Sequence, residues 1–205
     1  TIRLENGIVQ VKLEGSAGLT KATAGTVEVF QPMTYPGDTL IDAGTLKLAT
    51  TQLIPHGAGN GDVTINANGT LDLNGFAETI NGLSGDGQVT NAGGIVQFTV
   101  GADDDTSSFT GDIQGNLILF KVGAGTLTLA GTNTYLPATV VVNGAVHITG
   151  STTANTFVQN GATFGGTGTT TGTVNVNPGG TLAPGVTVGR LTTGDVTLNG
   201  GSFFE

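Results

Sequence analysis

The sequence predicts an all-β solenoid of roughly ten coils, one continuous domain over residues 1–205 in which short strands stack coil upon coil. Three observations point there. Short segments of strand pattern open on glycine along the whole chain, they recur at near-regular spacing, and no stretch carries a helical period.

The segments are GIVQV at 7, GTVEV at 25, GTLKL at 44, GTLDL at 69, GIVQF at 94, GTLTL at 125 and GAVHI at 144; GTLAP at 180 keeps only the opening. Successive starts lie 18, 19, 25, 25, 31 and 19 residues apart. Apolar residues alternate within them: Val27 and Val29, Leu46 and Leu48, Leu71 and Leu73, Val96 and Phe98, Leu127 and Leu129, Val146 and Ile148. Period two over so short a run makes a strand with one face buried. Thr, Val and Ile supply the β-propensity. A spacing near 20 residues is about what one coil of two or three short strands needs.

Asn- and Gly-containing turns separate these segments from a preceding short strand, as in VTINANGTLDL (63–73), TVVVNGAVHI (139–148) and TVNVNPGGTL (173–182). Both residues tolerate positive φ and suit sharp corners. An Asn-Gly turn between alternating strands is also a hairpin signal, so a meander or sandwich is the alternative. The near-regular spacing favours the solenoid.

A longer repeat supports stacking of like on like. Residues 13–48 align without a gap on 113–148, with ten identities in 36 positions: Gly15/Gly115, Leu19/Leu119, Lys21/Lys121, Ala24/Ala124, Gly25/Gly125, Thr26/Thr126, Thr34/Thr134, Tyr35/Tyr135, Thr39/Thr139 and Gly44/Gly144. This pattern is expected of an internal duplication. Lys21 and Lys121, at matching places before a Gly-Thr strand, are expected to be structural and not catalytic bases.

Composition excludes several classes. Glycine numbers 36 without a Gly-X-Y period, so collagen is out, and 37% apolar residues argue against disorder. Charged residues make up only 10%, against about 25% in an average soluble domain. Six Lys and Arg (Arg3, Lys12, Lys21, Lys47, Lys121 and Arg190) face fifteen acids, for a net charge of −9. No basic stripe exists for nucleic acid, and anionic membrane surfaces are disfavoured. Cysteine is absent, which removes disulfide frameworks and thiolate metal sites without fixing a compartment. There is no signal peptide and no apolar run long enough to span a bilayer, so export would need a signal removed or lying upstream.

SSFTGDIQGNLILFKVGAGTLTLAGTNTYLPATVVVNGAVHI (107–148) resembles the passenger-associated transport repeat of bacterial autotransporters. The pattern is a Phe/Tyr-x-Gly, then Leu-x-Lys-x-Gly, Gly-Thr-Leu-x-Leu, Asn-Thr-Tyr, and a Thr-x-Val strand ending in Gly. Residues 15–48 match it more loosely, with Gln31, Pro32 and Met33 where the family prefers Gly and polar residues. FGGTGTTTGTVNVNPGGTLAPGVTVGRLTTGDVTLNGGSFFE (164–205) is similar to the end of such passengers, with Gly-Gly-Thr-Leu-Ala-Pro-Gly (179–185) as its most specific motif. With AGNGDVTINANGTLDLNGFAETINGLSGDGQVTN (58–91), the resemblance covers nearly the whole chain. It implies a right-handed parallel β-helix exported by Gram-negative bacteria and displayed on the surface or shed. It also implies an origin near a C-terminal translocator barrel, which this sequence does not include.

Few residues suggest chemistry. Asp103–Asp104–Asp105 could hold Ca²⁺ or act as acid and base in a carbohydrate-active β-helix. No Arg or Lys lies near them in sequence, neighbours on a strand alternate, and an exposed loop is the expected setting. His56 in a loop and His147 on a strand have no metal-ligand spacing. Gly59–Asn60–Gly61–Asp62 and Gly85–Asp86–Gly87 are fragments of Ca²⁺-repeat pattern without the tandem period, so they are expected to be turns. Tyr35 and Tyr135 are expected to pack at corners. Gly-x-Ser-x-Gly does not occur. Gln10, Glu28, Lys47, Asp72, Gln97, Thr128 and His147 should point outward as a mixed row. The expectation is a protein with no catalytic residue, no cofactor and no metal.

The scaffold then carries the function. TIRLENGIVQVKL opens in strand pattern and DVTLNGGSFFE ends in it, with no polar or helical cap visible at either end. Either the chain is part of a longer passenger, or copies stack head to tail. In the second case Val196, Leu198, Phe203 and Phe204 would meet Ile2, Leu4, Val9 and Val11 of the next copy, an open contact that builds a filament. The expected function is a non-enzymatic extracellular rod that stacks end to end into a fibre or stalk. An adhesin binding extracellular glycan or matrix is the alternative, and a carbohydrate-active enzyme the third reading.

Overall fold

The computed structural model describes residues 1–185 and 189–205; residues 186–188, within the 164–205 segment, lie outside the described residues. Among the described residues there is no helix, and the strands coil about ten times around one apolar core. Each coil contributes to three walls. The first wall runs unbroken from Ile2–Leu4 through Leu19–Lys21, the openings of Thr39–Leu48 and Val63–Asp72, Leu83–Gly85, Ser107–Phe109, Thr126–Leu129, Ala145–Ile148, Thr163–Gly166 and Thr181–Pro184 to Phe203–Phe204.

The second wall starts at Gly7–Val9 and Thr26–Val29 and ends in four short strands, Thr132–Asn133, Ser151–Thr152, Thr169–Thr170 and Thr192–Thr193. The third begins irregularly: Thr34 N donates to Leu13 O, and Met33 N to Leu53 O. It becomes regular from Glu78–Ile80 through the last halves of Gln88–Val100 and Asp112–Lys121 to Leu136–Val141, Asn155–Val158, Val174–Val176 and Val196–Leu198.

All ladders between named strands are parallel, which eliminates the meander and the sandwich. The Asn-Gly turns are corners between walls. Val63–Asp72 is one bent strand whose Ile65 pairs with Ile41 on the first wall and whose Leu71 pairs with Leu46 on the second. Gly44 and Gly144 stand at such corners with φ of 74° and 65°. A Cβ on either would strike backbone carbonyls of the coil beneath, so both sterics and dihedral require glycine.

The glycine-opened segments do not stack in a single column. Those at 7, 25, 44 and 69 lie on the second wall, the one at 94 on the third, and those at 125 and 144 on the first. The steps of 25 residues from 69 to 94 and 31 from 94 to 125 each carry the chain one coil and one further wall. Thr26–Val29 and Thr126–Leu129, equivalent in the 100-residue offset, therefore sit on different walls. For the same reason the expected outward row is divided: Glu28, Lys47 and Asp72 share the second wall, Gln97 is on the third, and Thr128 and His147 are on the first.

Burial dominates the energetics. Leu46, Leu71, Val89 and Ile113 stack in register on four successive coils, each 0% exposed. Fully burying one such side chain is worth about 1.5–3 kcal/mol. Among the described residues the ion pairs Arg3–Glu5, Lys12–Glu14 and Lys47–Glu28 are surface contacts of a kind worth about 1 kcal/mol or less. Beyond Ile113 the same column turns polar, as Asn133, Thr152 and Thr170, all buried. Asn133 resolves the change: its Oδ1 accepts from Ile113 N at 3.1 Å and its Nδ2 donates to Ser151 O at 3.1 Å.

Both repeat lysines are buried. Lys21 Nζ donates to the carbonyls of Thr23 and Ala43, and Lys121 Nζ to those of Val122 (2.5 Å) and Gly123 (2.9 Å). Their ammonium groups tie the corner carbonyls together. Desolvation lowers both pKa values, that of Lys121 to about 8.

Candidate functional site

Stacking places the residue before each first-wall strand above its counterpart one coil earlier. Asp38 precedes Thr39, Asp62 precedes Val63, Gly82 precedes Leu83 and Thr106 precedes Ser107. Gly82 leaves a gap in this column. The gap opens a cleft of about 460 Å³ lined by Asp38, Asp62, Ser84, Asp105 and Thr106 among others. A Cβ on Gly82 would come within 2.9 Å of Asp62 Oδ1, the atom that accepts Gly82 N at 2.7 Å.

The loop after Gln88–Val100 brings two more acids to this place. One carboxylate oxygen from each of Asp62, Asp103 and Asp105 lies within 4.8 Å of the others. Asp103 Oδ2 accepts weakly from Gly59 N at 3.4 Å, whereas its Oδ1 is buried without a partner. The Asp103 carboxylate, which can accept the proton held by Asp105, raises the Asp105 pKa to about 6 together with desolvation and the neighbouring Asp62. Asp104 turns away, at φ 71°, and accepts Ala124 N at 2.6 Å. The three consecutive acids thus divide within the loop, where the positive φ of Asp104 accompanies a side chain directed at Ala124 and away from Asp62. Asp62, Asp103 and Asp105 could share a proton or offer hard oxygens to a divalent cation.

The other residues singled out in the sequence stay apart. His56 lines a separate cleft of about 350 Å³ with Tyr35, Pro36 and Asn60, and its Nδ1 is 3.2 Å from Ile54 O. His147 stands on the first wall between Thr128 and Gly165, where burial lowers its pKa. Asp86 and Gly87 form a corner, both amides donating to Ile65 O. Tyr35 and Tyr135 are buried and bond Thr39 and Thr139.

The residues expected at a subunit contact lie at the first and last coils. Ile2, Leu4 and Val9 are half-buried on the core columns of Leu19, Lys21 and Val29. Val196 and Leu198 continue the Val174 and Val176 columns, and Phe204 that of Leu182. Phe203 pairs with Thr181 on the outer side, and Val11 lies in a corner at 67% exposure, so neither belongs to a core column.

Sequence reasoning missed Asp62 as a partner of Asp103 and Asp105. The signal was present in Asp38 and Asp62, 24 residues apart, each opening a strand with alternating buried residues. Recognising it requires knowing which residues stack.

Residues 119–148 match the family model described as Passenger-associated-transport-repeat. The chain is 42% identical over 84 residues, 41% of its length and 8% of the relative's, to an extracellular serine protease of Serratia marcescens. It is 34% identical over 135 residues, 64% of its length and 4% of the relative's, to the adhesin BmaC autotransporter of Brucella suis biovar 1 (strain 1330). A second extracellular serine protease of Serratia marcescens is 36% identical over 92 residues, 44% of the chain and 8% of that protein. The chain thus spans less than a tenth of the length of these relatives. No solved structure matches significantly. The matched repeat, the relatives named autotransporter adhesin and extracellular serine protease, and the parallel coils on either side of 119–148 support a passenger-type β-helix.

Proposed function

We propose that the chain is a rigid, non-catalytic stalk held outside a Gram-negative cell. The observation that carries this reading is the unbroken first-wall register from Ile2 to Phe204. Each coil adds about 4.8 Å, so the rod is about 50 Å long. Its coils present their backbone edges to whatever stacks on them, and copies meeting through Ile2, Leu4, Val9 and Val11 against Val196, Leu198, Phe203 and Phe204 would extend the rod into a fibre. Electron microscopy of the purified protein over a concentration series tests both claims. Fibres that vanish on Phe203→Asp/Phe204→Asp support stacking. Single short rods at every concentration remove the fibre and leave the stalk, and compact globules remove the stalk too.

Adhesion to extracellular glycan or matrix is the second reading, favoured by the relative named an adhesin. Binding to a glycan array that survives mutation of the end coils would support it. Turnover of acidic polysaccharides that disappears in an Asp103→Ala/Asp104→Ala/Asp105→Ala variant would overturn the non-catalytic reading.

A further inference from the structure

The third wall carries an outward surface unlike the rest of the molecule. Phe120, Val140 and Phe157 stack in register on three successive coils, on the outer side of the wall whose inner side is Leu119, Thr139 and Thr156. Ile118 and Ala138 form the next column, and Leu136 and Val142 flank it. Leu136, Val142 and Phe157 are 51%, 39% and 38% exposed. Adjoining outward positions are uncharged and polar: Gln97 and Thr99 on the coil before, Asn155 beside Phe157, and Asn175 on the coil after.

No charged side chain lies outward on this wall over 95–99, 116–122, 136–142, 155–159 and 173–177. The sole charged residue in these segments, Lys121, points into the core and is fully buried. The protein as a whole carries −9. Two copies therefore repel wherever acidic surfaces meet, and this wall combines exposed apolar side chains with an outward face on which no like charges would be opposed. An apolar centre inside an uncharged polar rim is also the composition of a protein–protein contact.

We propose that the third wall is a lateral interface at which a second copy of this chain packs face to face, with Val140 at its centre. Two sheets in this arrangement sit about 10 Å apart. Five coils of about 4.8 Å by seven residues of about 3.3 Å give a flat area of roughly 550 Å² per copy. That is below the roughly 800 Å² per partner of a standard interface, so the contact belongs with the weak, exchangeable class. Any two-fold axis in the contact plane that passes through the centre carries Val140 onto Val140 of the second copy. The lateral contact uses no residue of the end coils and stands or falls separately from head-to-tail stacking.

Sedimentation velocity from about 10 µM to about 500 µM, the range suited to a small interface, tests the proposal. The expected result is a reversible monomer–dimer equilibrium, weakened at least about tenfold by Phe157→Glu, because two carboxylates would then be buried at one contact. Phe203→Asp/Phe204→Asp should leave that equilibrium unchanged. A second variant removes dependence on Phe157→Glu folding well. The chain has no cysteine, so Val140→Cys should cross-link as a dimer under mild oxidation while Thr128→Cys on the first wall should not. A monomer throughout the range, a dimer indifferent to Phe157→Glu with native circular dichroism, or equal cross-linking at both cysteines overturns the interface.

Discussion

The Tyr135 and Thr139 hydroxyls meet 2.6 Å apart inside the core, and Tyr35 and Thr39 do the same at 2.5 Å in the equivalent stretch. All four side chains are buried. Each tyrosine fills the space at a corner and spends its only polar atom on a hydroxyl four residues on. Burial pushes the Tyr135 pKa up to about 12.

Tyr135→Phe should destabilise the chain by about 1–3 kcal/mol, because it orphans the Thr139 hydroxyl. Tyr135→Phe/Thr139→Val should recover a measurable part of the loss, since neither polar group then remains. Urea unfolding of the two singles and the double checks this as a cycle. A double variant whose loss equals the sum of the two single losses would mean that the pair has no coupling.

Thr156 offers the opposite case. It is fully buried on the third wall and its Oγ1 has no hydrogen-bond partner. Thr156→Val keeps the shape and removes an unpaired polar atom, so it should raise stability by about 1 kcal/mol. A fall in Tm would show that the hydroxyl is served in solution.

Lys121 sets one pH dependence. Its pKa falls from the usual 10.5 to about 8 because the ammonium is desolvated. Between those values the unfolded chain holds the proton and the folded chain has lost it, so stability should rise with pH over that window. Lys121→Met should flatten this rise, as read from Tm between pH 8 and 10.5. An unchanged slope would show that the lysine titrates normally.

Asp105 sets another, of opposite sign. Its pKa is raised from 3.8 to about 6, chiefly by the hydrogen bond with Asp103. The folded chain keeps this proton where the unfolded chain has lost it, and stability falls as pH climbs through that interval. Asp105→Asn should therefore stabilise the chain at pH 7.5 and make little difference near pH 4. Equal effects at both would place the repulsion elsewhere.

Much of this fold was legible because the chain repeats a local rule. GTLTL or GAVHI specifies a strand with one buried side wherever it occurs, and the Asn-Gly corners mark where walls meet. The wall on which each segment would sit was not legible. That depends on the residues spent at each corner, and the insertion 49–62 occupies part of a coil without moving the next segment off the second wall. The acidic cluster was hidden for the same reason: Asp62 and Asp105 are 43 residues apart in sequence and adjacent only across the gap at Gly82. Phe203 shows a finer limit, because alternation alone did not tell which of two consecutive phenylalanines continues the core column.

The offset between Thr26–Val29 and Thr126–Leu129 is four coils and two walls, a fraction of a turn short of five. A strand written for one side of the prism thus works on another, since each side asks only for the same alternation and a corner glycine. Rods of this kind need not grow or shrink by whole turns. Recombination between similar segments can splice out of phase and still yield a continuous core, while every loop beyond the splice is turned to a new compass bearing. Length and the direction in which decorations face would then drift together across related strains, giving a surface that changes its outline while its scaffold stays intact.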